Sequence, residues 1–350
     1  MRLNYIDGLR GFLSLFVVYD HYSALFYPTL PHGFYDTSAN VCGFFLISGF
    51  ILSYKFWQDK NTTKLALSAI TRYIRLTATP FVSVILTYVL LANGLIFFQD
   101  FKETYGTFLT VYNFTPNLAN AVYEGALGIY FSYDQANSYN PVLWTMQYSF
   151  KGSILTLAFL ALFSNIKNRA PIYFFLALAT VFTNIVYLAF VIGAFLGDRM
   201  HTEPKTLPSG IICLLVIAGC FCSYYALDAG ISIYAKMNFE LFGKLAMSPM
   251  VFYHVVGASM IIYAIFHSNT LQKIFSARVL CKIGQYSFAT YLMHVPILGS
   301  VGCYLFIKTG ANLFLTCAVS LAVTALAVFL LKNFVEIPAG VLAKRVQNFF

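Results

Sequence analysis

The chain is predicted to be an all-α, polytopic integral membrane protein of about ten transmembrane helices, with both termini cytoplasmic. Three observations predict this. Apolar runs of membrane-crossing length recur from end to end. Hydrophobic residues make up 59% of the 350 residues against 10% charged, with a mean hydropathy of +0.72, which leaves too little polar surface for a soluble fold. Basic residues also concentrate in alternate loops.

The apolar segments fall at about 9–27, 39–56, 77–98, 141–164, 170–183, 185–198, 208–227, 246–267, 283–307 and 311–332. They read as a single transmembrane domain over 1–350. The fifth and sixth meet at a polar junction, Thr183-Asn184, so one long helix and a nine-span count is the alternative. Charge decides between them. With ten spans, Lys55, Lys60, Lys64, Arg72, Arg75, Lys167, Arg169, Arg199, Lys205, Lys273, Arg278 and Lys282 are all cytoplasmic, while Asp36, Asp100, Glu103, Glu124, Asp134, Asp228 and Glu240 are external. Nine spans would move Arg199, Lys205, Lys273, Arg278 and Lys282 outside, so ten are expected. The first run reads as a retained helix and not a cleaved signal peptide, since no small-residue cleavage site follows it.

The net charge of +9 is therefore mostly a topology signal, and no aromatic-interleaved basic patch points to nucleic acid. The seven cysteines lie mostly inside apolar segments without CxxC spacing and read as small apolar fillers, so no metal site is expected. The stretch 99–140, with six tyrosines from Tyr105 to Tyr139, is expected to be the largest extramembrane loop, either lining a polar-ligand site or forming an interfacial aromatic belt.

In the first segment, Arg10 and His21 are eleven residues apart, close to three full helical turns, and so share a face. His21 lies about 16 Å further along the axis, near mid-membrane. An ionisable group there costs several kcal/mol unless it faces protein or water, which makes it a functional candidate; a buried structural histidine is the alternative. Asp7, one turn before Arg10, can hold its guanidinium.

Other motifs follow. Gly43, Ser48 and Gly49 in Gly43-Phe-Phe-Leu-Ile-Ser-Gly-Phe suit close helix packing more often than ligand approach. Arg72-Tyr-Ile-Arg75 pairs two guanidiniums at i and i+3, suited to bidentate phosphate contacts or to plain cytoplasmic anchoring. Pro141-Val-Leu-Trp-Thr-Met-Gln-Tyr-Ser-Phe-Lys-Gly-Ser153 places Trp144 at the outer start of the fourth span. Tyr286-Ser-Phe-Ala-Thr-Tyr-Leu-Met-His294-Val-Pro296 carries a second intramembrane histidine one turn beyond Thr290 and Tyr291, and Glu336-Ile-Pro338 reads as a helix-ending device.

In this order along the chain, the motifs resemble those of the membrane-bound acyltransferase-3 family of multi-pass O-acyltransferases, over essentially all 350 residues. DGLRG with its histidine resembles the first-helix motif, FFLISGF the second, RYIRL the basic pair, LWTMQYSFKGS the tryptophan motif, YSFATYLMHVP the late histidine motif and VEIP the terminal one. Two features depart from the family pattern: Ser149 stands where members commonly carry glutamate, and Pro80 follows Leu76 by four residues. No appended SGNH-type esterase domain is expected.

The resemblance implies transfer of an acyl group, most often acetyl, from cytoplasmic acyl-CoA (acetyl-CoA as donor substrate, with no permanently bound cofactor) to a hydroxyl of a glycan, lipid-linked sugar or related acceptor. The catalytic residues it implies are His21 and Arg10; Arg72, Arg75 and Arg10 would hold the CoA phosphates, and Trp144, Tyr291 and His294 would line the acceptor route. His21 would act either as general base or as an acyl carrier. The expected location is the cell inner membrane. A proton-coupled transporter or flippase of a polar substrate is the alternative function, and a catalytically silent membrane partner a third reading.

Overall fold

The computed structural model describes residues 3–27, 37–107, 111–202, 206–224 and 248–349. Asp36, Lys205, Asp228 and Glu240, which bear on the charge argument, lie outside them, as do residues 225–227 and 246–247 at the edges of two expected spans.

The described residues are helical with no strand. In order they form α1 (Asn4–Phe26), α2 (Thr37–Asp59), α3 (Thr62–Ala92), α4 (Phe98–Tyr105), α5 (Leu118–Tyr123), α6 (Ile129–Phe131), α7 (Trp144–Phe163), α8 (Ala170–Thr183), α9 (Tyr187–Thr202), α10 (Ser209–Ser223), α11 (Pro249–Phe266), α12 (Asn269–Phe275), α13 (Arg278–Ile297), α14 (Cys303–Lys308), α15 (Leu313–Leu331) and α16 (Ile337–Phe349). Among them, six continuous helical stretches are long and apolar enough to cross a membrane: 37–59, 62–92, 141–163, 249–266, 278–308 and 313–347. The chain is a polytopic membrane protein.

Three sequence expectations change. The third span begins fifteen residues earlier than its apolar run, because Thr62 to Thr77 continue the helix; Arg72, Arg75 and Pro80 therefore lie within α3. The 99–140 stretch is not a plain loop, since α4, α5, a π turn at Glu124–Gly128 and α6 occupy much of it. Pro338 does not end a helix. A π turn over Lys332–Glu336, closed by the Ile337 N–H on the Lys332 carbonyl, shifts the bonding register, and the chain stays helical to Phe349. The expected break between the fifth and sixth spans is present, with Asn184 extended between α8 and α9.

The chain divides into two compact units. The first comprises Met1–Val17, His32–Ala66 and Lys151–Gly284; the second comprises Val18–Pro31, Leu67–Phe150 and Gln285–Phe350. In the first unit, glycines let helix backbones touch. A side chain at Gly193 of α9 would strike the Leu46 carbonyl of α2, and one at Gly284 would strike the Asp7 carbonyl of α1. The packing reading of the Gly43–Gly49 motif holds at Gly49, which meets the Phe190 carbonyl.

The second unit has a core of Ala289, Met293, Ile297, Val328 and Leu331, and an aromatic stack in which Phe26 lies on Phe306, with 4.9 Å between centroids. α5, α6 and the π turn between them lie along α3. Tyr73 Oη donates to the Ala126 carbonyl at 3.0 Å, Thr77 Oγ1 and Tyr130 Oη are 3.0 Å apart, and a Cβ at Gly125 would press on Phe81.

Candidate active site

Proline at 296 on α13 removes one backbone donor, so the carbonyl four residues earlier, Leu292, loses its helical partner. A buried carbonyl without a partner costs about 1–3 kcal/mol. Asn140 supplies the missing donor: its Nδ2 lies 2.7 Å from the Leu292 carbonyl and 3.3 Å from Ser83 Oγ, while its Oδ1 caps the 3₁₀ turn at Pro141–Leu143 through the Val142 N–H. Asn140 is fully buried. One side chain thus ties the entry of α7 to α3 and to α13 two residues before His294.

Tyr291 completes the tie. Its hydroxyl donates to the Val142 carbonyl at 2.8 Å and lies 3.1 Å from Thr145 Oγ1. Trp144, half-buried, sits edge-on to Tyr148 at 5.8 Å.

His294 is 0% exposed. Its Nδ1 is 3.1 Å from the Thr290 carbonyl and its Nε2 is 3.3 Å from Nδ1 of His21, with the two rings edge to face at 4.9 Å. A carbonyl can only accept, so Nδ1 of His294 carries a proton. In the neutral pair, Nε2 of His294 then accepts from Nδ1–H of His21, which puts the basic lone pair of His21 on Nε2. The arrangement fixes the tautomer of His21 through a second histidine, where hydrolytic triads use a carboxylate for the same purpose.

Immediately beyond Pro296 the helix widens into a π turn, Leu298–Gly302, a feature common beside functional sites. Its Gly299 packs against the buried Tyr112 ring and accepts the Phe97 N–H at 2.9 Å. Above α5, the Glu124 carboxylate accepts from Ser138 Oγ at 2.5 Å and from the Tyr139 N–H at 3.1 Å. Burial raises its pKa above the ordinary carboxyl value, and those two bonds oppose the rise.

The structure therefore brings His21, His294 and Tyr291 into one cluster with Asn140, Ser83 and Thr145. Arg72 and Arg75 are elsewhere on α3: Arg75 is exposed and Arg72 half-buried beside Tyr130. They precede Ser83 by eleven and eight residues, about 16 and 12 Å of helix rise. Arg10 belongs to the first unit, on the same helix as His21. Sequence reasoning missed Asn140, although proline at 296 announces an orphaned carbonyl at 292. It missed the His21–His294 contact because the two are 273 residues apart.

The Acyltransferase domain of the acyltransferase-3 family matches residues 3–332, and the chain belongs to that family. The O-acetyltransferase PaAT-1 of Phomopsis amygdali is 28% identical over 194 residues, which cover 47% of this chain and 38% of that relative's length. No solved structure matches.

Proposed function

We propose that the protein is a membrane O-acyltransferase with His21 as general base and His294 as the residue that orients it. The observation that carries this reading is the His21–His294 contact, with its tautomer fixed from the Thr290 carbonyl. The acceptor hydroxyl gives its proton to Nε2 of His21 as its oxygen attacks the thioester carbonyl of the donor. The C–O bond forms, the C–S bond breaks, and the leaving thiolate takes the proton from the imidazolium. General-base catalysis of this kind contributes about 10²–10⁴ in rate.

Acyl-CoA is the donor in this reading. Arg72 and Arg75 would hold its phosphates by bidentate contacts, and the 12–16 Å separation along α3 is a gap that a long flexible thioester arm can bridge. The relative's name supports an acetyl group and an oxygen acceptor. Trp144 would flank the acceptor hydroxyl, whereas the Tyr291 hydroxyl is occupied by Val142 and acts by holding α7 to α13.

The test is transfer or hydrolysis of radiolabelled acetyl-CoA by purified protein. His21→Ala should lower turnover at least a hundredfold while the protein still elutes as the folded species. Activity above about a tenth of wild type would overturn the assignment, and movement of a polar substrate across vesicles without acyl chemistry would indicate a transporter instead.

A further inference from the structure

We propose that the first unit carries a binding pocket for the headgroup of an anionic phospholipid, separate from the histidine site. A cavity of about 460 Å³ is lined by Trp57 near the end of α2, Lys60 of the α2–α3 turn and Thr62 at the start of α3, and by Asn165, Lys167 and Arg169 from the α7–α8 connection, with Asp198 of α9 at its wall. These segments lie at the ends of membrane-crossing helices, α2 ending at Asp59 and the 141–163 stretch at Phe163. The cavity is thus at the level where headgroups lie.

Its wall is built. Arg169 stacks on the Trp57 ring, with its Cζ 4.0 Å from the centroid. It donates to both Asp198 oxygens, at 2.8 and 2.7 Å, and to the Ile166 carbonyl. Trp57 is fixed in turn by its Nε1–H on Ser53 Oγ at 3.2 Å. With Arg169 matched by Asp198, the excess of two positive charges comes from Lys60 and Lys167, both exposed. Lys60 holds a left-handed backbone at φ +47°, a conformation glycine or asparagine would adopt at less cost, in a two-residue turn. Thr62 opens the 31-residue α3, so the positive end of that helix faces the same space.

Two lysines, amide and hydroxyl donors and a helix start suit a phosphate. The surface next to the pocket selects a lipid over a free anion. Ile166, in the lining, is 41% exposed, and Leu162 one turn before it is 72% exposed. α8, leaving the same connection, exposes Phe174, Leu178 and Phe182 at i, i+4 and i+8. A phosphate seated between Lys60 and Lys167 would leave its acyl chains on that apolar side, as in the basic pockets between membrane helices that hold anionic headgroups.

Native mass spectrometry of the detergent-purified full chain tests this, with phosphatidylglycerol and phosphatidylcholine as probes. Phosphatidylglycerol should be retained preferentially. K60Q/K167Q should weaken its retention about fivefold per lysine, K60R/K167R should keep it, and Lys64→Gln, outside the pocket, should change nothing. Should the glutamine pair misfold, the unaltered protein still gives an answer, because phosphatidylglycerol retention should fall as salt rises. Equal retention of the two lipids, wild-type retention by K60Q/K167Q, salt-independent retention, or displacement of the lipid by millimolar inorganic phosphate or coenzyme A would each overturn the proposal.

Discussion

The two units of this protein solve the same packing problem by different chemistry. In the first, helices are matched by shape: Gly193 and Gly49 let α2 and α9 approach backbone to backbone, and Gly284 does the same for α13 and α1. Its most closely paired ions, Arg169 with Asp198, sit at a helix end. In the second, helices are matched by polar side chains that reach from one element to another, Asn140 to Leu292 and Ser83, Tyr291 to Val142, His294 to His21. Two of its glycines meet aromatic rings, Gly302 against Phe26 and Gly299 against Tyr112. The second unit also holds the three π turns among the described residues and prolines inside long helical stretches, Pro80, Pro296 and Pro338. Regular helices packed by close backbone contact make one half, and interrupted helices whose freed backbone groups need side-chain partners make the half where chemistry can be placed. That contrast predicts how each half fails.

The largest effect is expected in the first unit. Gly193→Val drives a branched side chain into the Leu46 carbonyl, and neither backbone can yield without moving a whole helix. Overpacking by side chains alone costs about 1–3 kcal/mol, and collision with backbone sits at or above the top of that range. The variant should lose monodisperse elution from detergent or show a strongly lowered melting midpoint. Wild-type stability would show that the two helices slide freely, which would break the claim of a shape-locked half.

The second unit should respond in a conditional way. Asn140→Ala removes the donor to Leu292 and should cost about 1–3 kcal/mol, the penalty for a buried carbonyl left without a partner. Pro296→Ala restores an N–H that can bond Leu292 along the helix. In the Pro296→Ala background, Asn140→Ala should therefore cost clearly less, and a double-mutant cycle of thermal or denaturant midpoints measures the coupling. Additive losses would mean that Asn140 acts only through Ser83 or as the cap of the 3₁₀ turn.

Much of this contrast was legible in the chain itself. Over the described residues, nine of the ten apolar segments coincide with helices and the third with the C-terminal part of a longer one, and six continuous stretches among them are long and apolar enough to cross a membrane. Gly49 read as a packing residue and is one. His21 and Arg10 stood out because ionisable groups are costly in a bilayer. What stayed hidden depends on distant pairing. Asn140 looks like an ordinary turn residue until its partner is known, and the π turns have no periodicity of their own. The α5–α6 segment escaped notice because its contacts, Tyr73 to Ala126 and Thr77 to Tyr130, join residues 53 apart. Its apolar positions, Leu118, Val122, Leu127 and Phe131, are spread among polar ones and read as loop, yet they form an exposed face on a helical stretch laid along α3.

The smallest expected effect asks whether the polar matching serves stability or placement. Tyr291→Phe keeps the ring, whose centroid lies 6.0 Å from that of His294, and removes only the hydroxyl. The Val142 carbonyl can still accept from Thr145 Oγ1, 3.0 Å away, so the loss of stability should be that of one neutral hydrogen bond, about 0.5–1.5 kcal/mol. Turnover is the more informative readout. If the hydroxyl holds the α7 entry in register with His294, a small shift there misplaces the acceptor relative to His21, and acyl transfer should fall about tenfold with the donor KM unchanged. If the bond only stabilises the fold, the melting midpoint should drop while turnover of the folded fraction stays at the wild-type level. That second result would leave the second unit polar for stability alone and would sharpen the comparison: both halves would then be packing solutions, with only the histidine pair reserved for chemistry.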